Sequence, residues 1–263
     1  MNKKMNLRFI IGAVITGIML ITALVSLVYT PYDSETMDLN SKFLAPCAAH
    51  IFGTDNFGRD IFSRTMVGLK DTIFVSGCTI LIGFTVGLLV GSLTGYFGGI
   101  IDEILMRIND ALASIPSVLM AIVLIGVFGS STTTLICSLG IVFIPSFARM
   151  IRSEFIKEQN KEYVMSAKLS KVSNFRIIFV HILPNCKHTI ISTIIVGFNN
   201  AILAEASLSF LGIGIQPPRA SLGAMLKESQ GFLTKAPWYS LFPGLVIVLL
   251  IVGLVALYSN KQK

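Results

Sequence analysis

Few side chains in this 263-residue sequence have the types and spacing that chemistry needs. The four cysteines, Cys47, Cys78, Cys137 and Cys186, are scattered with no CxxC pair, so they suggest neither a disulfide framework nor a zinc site. His50, Asp55 and Asp60 match no defined metal-ligand spacing. His181 and His188 would share a helix face beside Cys186, but a closed metal site needs more ligands and a supporting shell. No metal site is expected. No GxxxxGK[ST] run is present, which excludes a P-loop ATPase on this chain. GxSxG and HExxH are also missing, which argues against a membrane hydrolase. No catalytic residue is expected, and this chain is read as a non-enzyme.

Three segments remain. Arg149–His188 carries Arg149, Arg152, Lys157, Lys161, Lys168, Lys171, Arg176 and Lys187. It interleaves apolar residues at helical spacing, namely Tyr163, Val164 and Ala167, then Phe175, Ile178, Phe179 and Ile182. Such a segment either lies on anionic lipid or docks a soluble partner. Gly53–Arg64 has glycines for tight turns at Gly53 and Gly58, and Asp55 or Asp60 can cap a helix beginning near Ile61. The local chemistry reads as a capped re-entry into the membrane, with contact to a partner as the other reading. Glu205 is the one acid in an otherwise apolar stretch. A carboxylate there either lines a pathway or gate, together with Ser209 and Phe210, or sits hydrogen-bonded near one end of the span.

The elements that position these residues follow from composition. Hydrophobic residues make up 53% and charged residues 13%, about half the ~25% of soluble domains. Mean hydropathy is +0.77. A soluble domain of this size lacks the polar surface it would need, and disorder is excluded because apolar residues abound. The chain reads as an all-α integral membrane protein. About 20 apolar residues cross the hydrocarbon core as a helix. Phe9–Tyr29 is one such run, read as an uncleaved first span rather than a signal peptide. A second lies within Thr72–Ile101 and ends near Tyr96. Ala111–Ala148 is long enough for two, divided at Gly129–Thr132. A fifth runs from near Thr189 to Leu203, and Trp238–Tyr258 is the sixth, with Trp238, Tyr239 and Tyr258 suited to the interfaces. Gly87, Gly91 and Gly95 place a smooth stripe along the second span for helix packing. Gly212, Gly214 and Pro217-Pro218 end the fifth span, and a short outer helix is expected from Leu222 to Phe232. With the N-terminus inside, 14 of the 21 Lys and Arg fall in inner segments and 7 in outer ones, which puts both termini in the cytoplasm. The net charge of +7 is then concentrated on the inner side, mostly in Arg149–His188.

Three long words carry a family resemblance. Glu162-Tyr163-Val164-Met165-Ser166-Ala167-Lys168, followed by Ser173-Asn174-Phe175-Arg176 and by His181-Ile182-Leu183-Pro184-Asn185, resembles the EAA loop of binding-protein-dependent ABC transporter permeases. His50-Ile51-Phe52-Gly53-Thr54-Asp55-Asn56-Phe57-Gly58-Arg59-Asp60, running on to Ser63-Arg64, is similar to the HPLGTDxxGRDxxSR segment of the dipeptide/oligopeptide/nickel permeases, C-type subunit. Glu205-Ala206-Ser207-Leu208-Ser209-Phe210-Leu211-Gly212, running on to Pro217-Pro218, is similar to the E-x-x-LSFLGLGxxPP segment of the same group.

The resemblance implies a type I ABC importer permease fold with six transmembrane helices. It implies a first span and extracytoplasmic segment over 1–71 and a five-span core over 72–263, with a coupling loop at 149–188. It also implies a second permease, two cytoplasmic ATPases that hold ATP and Mg, an extracytoplasmic solute-binding protein, and a bacterial cytoplasmic membrane. No cofactor is expected on this chain, and no nucleic acid among its partners. ATPase coupling would fall on Glu162, Tyr163, Val164, Ser166, Ala167, Lys171, Leu183 and Pro184. The pathway or gate would involve Glu205, Ser209 and Phe210, and the extracytoplasmic motif Gly53, Asp55, Gly58, Arg59 and Asp60. Relatives carry small peptides, nickel or metal–metallophore complexes. The sequence departs at Lys171, where the family usually has a turn-forming Gly, and at Leu222, where it often has Trp. The family's further polar tail would follow where this chain ends at Lys263. An autonomous channel or ion-coupled transporter is the alternative, and it would call for more intramembrane ionisable groups than Glu205.

Overall fold

Hydrocarbon offers backbone amides no hydrogen-bond partner, so a chain that crosses it closes those bonds within each segment. The computed structural model describes residues 7–258, and these residues are helical apart from their connections, with one isolated bridge between Thr54 and Asp60. Lys3, Lys4, Lys261 and Lys263, which enter the orientation count, and the Tyr258 side chain lie outside the described residues. The helices are α1 (Leu7–Val25), α2 (Ile61–Phe97), α3 (Gly99–Ser114), α4 (Ser117–Phe128), α5 (Thr132–Gln159), α6 (Glu162–Leu169), α7 (Lys187–Leu211), α8 (Leu222–Ser229) and α9 (Pro237–Tyr258). Between α6 and α7, Asn174–Asn185 is helical in short pieces.

Among the described residues five helices are long and apolar enough to cross a membrane: α1, α2, α5, α7 and α9. A sixth span exists only if α3 and α4 are counted together, and they meet at 87°. This corrects the expected third span. The charge-free stretch from Ala111 hides Pro116, which forces the preceding residue out of helical conformation. Ile115 is extended (φ −84°, ψ 128°), so Ala111–Ser114 ends α3 instead of starting a span. The 12 residues of α4 rise only about 18 Å. α2 is longer than expected: its 37 residues begin at Ile61 and end one residue past Tyr96. The short helix expected from Leu222 to Phe232 appears as α8 continued by a 3-10 turn, Gln230–Phe232.

The described residues fall into two compact units. One gathers residues up to Gly77, Ile122–Ile136 and those from Asn199 onward; the other holds Cys78–Ala121 and Cys137–Phe198. In the first, α1 packs on α9 through small residues: a Cβ on Gly12 would stand 2.7 Å from Ala256 Cβ, and one on Gly253 2.7 Å from Thr16 Oγ1. Its apolar cluster joins Ile61, Met225, Ala236 and Tyr239 to Phe43, Phe52, Phe232 and Phe242. Phe52 stacks on Phe242 with ring centroids 4.0 Å apart.

In the second unit the glycine stripe does what its spacing implies. Added Cβ atoms would meet Phe147 Cβ at 2.5 Å from Gly87, Ala148 O at 2.6 Å from Gly91 and Phe155 Cβ at 2.6 Å from Gly95. α2 and α5 are therefore in backbone-close contact, which rewards dispersion in a solvent that supplies no hydrophobic drive between helices. Gly91→Ala is expected to overpack this seam by about 1–3 kcal/mol. Gly126→Ala in α4, where nothing lies within 4 Å, should change little. Melting temperatures in detergent check this, with Gly91→Ala alone falling by several degrees.

Candidate functional site

The segment after α5 is built around a short exposed helix. α6 starts after the extended Lys161 (φ −80°, ψ 149°), and Glu162 stands in its first turn, where negative charge suits the helix dipole. Val164 is fully buried and anchors the helix, while Glu162, Met165, Ser166 and Leu169 face outward and Ala167 is half-buried. The helix closes with Ser170 N–H on Ser166 O (3.0 Å) and Val172 N–H on Ala167 O (3.1 Å). Lys171 then adopts φ +53°. Lys171 thus takes the left-handed conformation with a Cβ that costs about 1–2 kcal/mol.

Two hydroxyls tie this segment down. Tyr163 Oη donates to Glu158 Oε2 at 2.6 Å, and Lys161 Nζ donates to Glu158 Oε1 at 2.6 Å. Burial, then the Glu158 bond, push the Tyr163 phenol well above its ordinary range, so it stays a neutral donor. Tyr96 Oη, at the end of α2, donates to Asn174 Oδ1 at 2.8 Å, and Lys168 Nζ lies 5.2 Å from the Tyr96 ring centroid. Glu158 and Tyr96 were not singled out from sequence. The signal for each was present: an acid inside a basic segment, and a tyrosine ending an apolar run.

The basic stretch is smaller than it reads. Arg149–Gln159 belongs to α5, and Arg152 forms two bonds to Asp102 of α3 at 2.6 and 2.7 Å. Arg149 faces Asp110 at 3.5 Å, Lys157 bonds Glu154 and Lys161 bonds Glu158. Half of the eight basic residues are therefore neutralised within the chain. A π-helical stretch, Ile177–Ile182, precedes Leu183–Asn185, and Pro184 enters in the first turn of that piece. First-turn amides have no intrahelical acceptor to lose. Leu183 is half-buried there. Cys186 is buried, and desolvation pushes its thiol up to about 11. Among the described residues no three His, Cys, Asp or Glu side chains are grouped to hold a metal.

The Gly53–Arg64 motif forms a buried ion-pair hub in the first unit. Asp55 is fully buried; its Oδ1 accepts the amides of Phe57 and Arg59, and its Oδ2 accepts Arg59 Nε at 2.6 Å. Glu228 of α8 receives Arg59 Nη2 at 2.9 Å, Arg64 Nη2 at 3.3 Å and Tyr239 Oη at 2.6 Å through one oxygen, Oε2. Asp60 is the helix cap: its Oδ2 accepts Ser63 N–H at 2.7 Å, and its Oδ1 lies 2.9 Å from His50 Nδ1. Gly53 (φ +75°) and Gly58 (φ +76°) supply the turns, and a side chain on Gly58 would run into the Asp38 carbonyl. Tyr239, in the first turn of α9, is fully buried in this hub. Glu228 was missed, although it is the only acid after Glu205.

Glu205 is a second buried hub in the same unit. It has no exposed surface, and its carboxylate accepts Thr72 Oγ1 at 2.7 Å, Ser209 Oγ at 2.7 Å and Ser221 Oγ at 3.3 Å. Ser209 Oγ also accepts Ile215 N–H at 3.2 Å. Gly223 packs its backbone so closely on the Ala206 carbonyl that no side chain fits. Phe210 points away and is partly exposed. The carboxylate thus joins α2, α7 and the residue that precedes α8.

Residues 87–260 match the family described as binding-protein-dependent transport system inner membrane component. The chain belongs to this family. The dipeptide transport system permease protein DppC of Haemophilus influenzae is 34% identical over 95% of this chain and 87% of its own length. The protein of the same name from Alkalihalophilus pseudofirmus is 38% identical over 95% and 82%. The oligopeptide transport system permease protein OppC of Bacillus subtilis is 34% identical over 95% and 82%. Among solved structures, the methionine ABC transporter MetNI in inward-facing form covers 74% of this chain and 92% of its own, with a TM-score of 0.61 at 17% identity, which shows the fold.

As a permease of this family the chain is a multi-pass cell-membrane protein and a translocation component rather than an enzyme. Permeases of this family work with ATPase and solute-binding partners. Two outcomes follow from the geometry of this permease. Lys171→Gly removes the left-handed strain and is expected to stabilise the segment by about 1 kcal/mol; slower hydrogen exchange across 161–176 would show it. Glu228→Ala strands Arg64 and Tyr239 and is expected to cost about 3–5 kcal/mol, the range for breaking a buried ion pair. Glu228→Gln should cost less, and thermal unfolding of the two variants measures the difference.

Proposed function

We propose that this permease moves small peptides inward, driven by ATP hydrolysis on partner chains. The observation that carries this reading is α6, a short helix anchored by Val164 that presents Met165 and the 85% exposed Leu169 to the outside. Phe175, 72% exposed, follows four residues after the Lys171 turn. Exposed apolar residues at a charged segment mark a protein-binding surface, and this is the segment that resembles the EAA loop. The coupling residues are Glu162, Tyr163, Val164, Ser166, Ala167, Lys171, Leu183 and Pro184.

The mechanism follows from the tethers. A partner that pushes α6 pulls on Glu158 of α5 through Tyr163 and on Tyr96 of α2 through Asn174. Short hydrogen bonds to two long helices make the small helix a lever rather than a loose loop. Residues 72–263 act as the permease core with its coupling loop at 149–188, and residues 1–71 add a first span and an extracytoplasmic segment. Both termini are cytoplasmic. A second permease, two cytoplasmic ATPases with ATP and Mg, and an extracytoplasmic solute-binding protein complete the transporter. Glu205, Ser209 and Phe210 act at the outer end of the path, where the Glu205 hub holds α2 and α7 together. Gly53, Asp55, Gly58, Arg59 and Asp60 shape the outer surface.

The names of the relatives, dipeptide and oligopeptide permeases, turn the choice among peptide, nickel and metal chelate toward peptide. In the complete transporter, Leu169→Glu is expected to abolish copurification of the ATPase and to reduce labelled-dipeptide uptake at least tenfold, a loss of about 1.4 kcal/mol or more in docking. Retained ATPase with unchanged uptake would refute the coupling role of α6.

A further inference from the structure

α3 has three distinct sides. At roughly 100° per residue, Asp102 and Asn109 fall on one side, and both are turned inward: Asn109 is 3% exposed and Asp102 holds Arg152. Ile100, Ile104 and Ile108 fall together on a second side, 76%, 55% and 56% exposed. Glu103, Arg107 and Asp110 occupy a third side and are also exposed. An exposed apolar strip beside an exposed charged strip is the pattern of a helix lying in a membrane interface.

Two further observations fix where the helix lies. Its acids pair with Arg149 and Arg152, which are 17 and 20 residues beyond Thr132, or about 26 and 30 Å along α5. That distance matches the ~30 Å hydrocarbon core, so α3 sits at one membrane face. The 87° bend then turns it across the direction of α4.

We propose that α3 is an interfacial helix whose isoleucine strip is sunk among the lipid acyl chains of one leaflet, with its charged strip among the headgroups. Lipid, rather than another protein, is the occupant for two reasons. Ile115 and Leu119, which follow in the chain, are exposed as well, and α4 is an apolar helix in a chain already shown to be a multi-pass membrane protein. The charged strip is compensated internally, by Arg107 on Glu103 and Arg149 on Asp110, which leaves no net charge for a protein partner to read. The helix would thereby hold one end of α5 at the level of the membrane surface through the Asp102–Arg152 pair.

The test uses the complete transporter in native membranes. p-Benzoylphenylalanine is placed at Ile104 or at Arg107, the membranes are irradiated, and the purified chain is read by mass spectrometry. The expected result is a phospholipid adduct at position 104 and a several-fold lower yield at 107. A crosslink from 104 to another protein chain overturns the proposal, as do equal lipid yields at both positions. Should the Ile104 variant fail to assemble, the same probe at Ile108 gives the same reading.

Discussion

Inside a bilayer no water is available to solvate a polar group, so every charge the fold buries must find its partner within the chain. This constraint organises the structure. Asp55, Arg59, Arg64 and Tyr239 are buried and converge with the part-exposed Glu228 because none of them could be buried alone. Their convergence in turn fixes the loop after α1 against α8 and the start of α9. Glu205 meets the same requirement differently, with three hydroxyls in place of a cation. Along the α2–α5 seam close packing holds the helices, which explains why glycine rather than leucine lines it.

The proposed coupling segment is the exception that the constraint predicts. It lies outside the spans, and there exposed apolar residues and unneutralised cations are tolerated. Arg149, Arg152, Lys157 and Lys161 are paired off inside the chain, so the charge left for a partner comes from Lys168, Lys171, Arg176 and Lys187. The exposed surface of this segment is therefore more apolar, and less basic, than the raw composition of Arg149–His188 implies.

Local features were legible in the sequence because their causes are local. The Asp60 cap, the Gly87–Gly91–Gly95 stripe and the short outer helix each follow from residues within one or two turns. The departure at Lys171 was informative for the same reason: the conformation belongs to the turn, whatever residue occupies it. Long-range pairings were not legible, since nothing near Arg59 announces Glu228, 169 residues away. The broken third span was missed because hydropathy does not register the single proline that makes Ile115 extended.

The central claim is that this chain moves its solute only when an ATPase acts on α6. The most direct measurement is labelled-dipeptide accumulation in proteoliposomes holding the purified transporter, with the solute-binding protein on one side and ATP on the other. The account predicts accumulation that requires both ATP and the binding protein and that vanishes with a non-hydrolysable analogue. Equal uptake by this chain alone, down a gradient and without ATP, would contradict it.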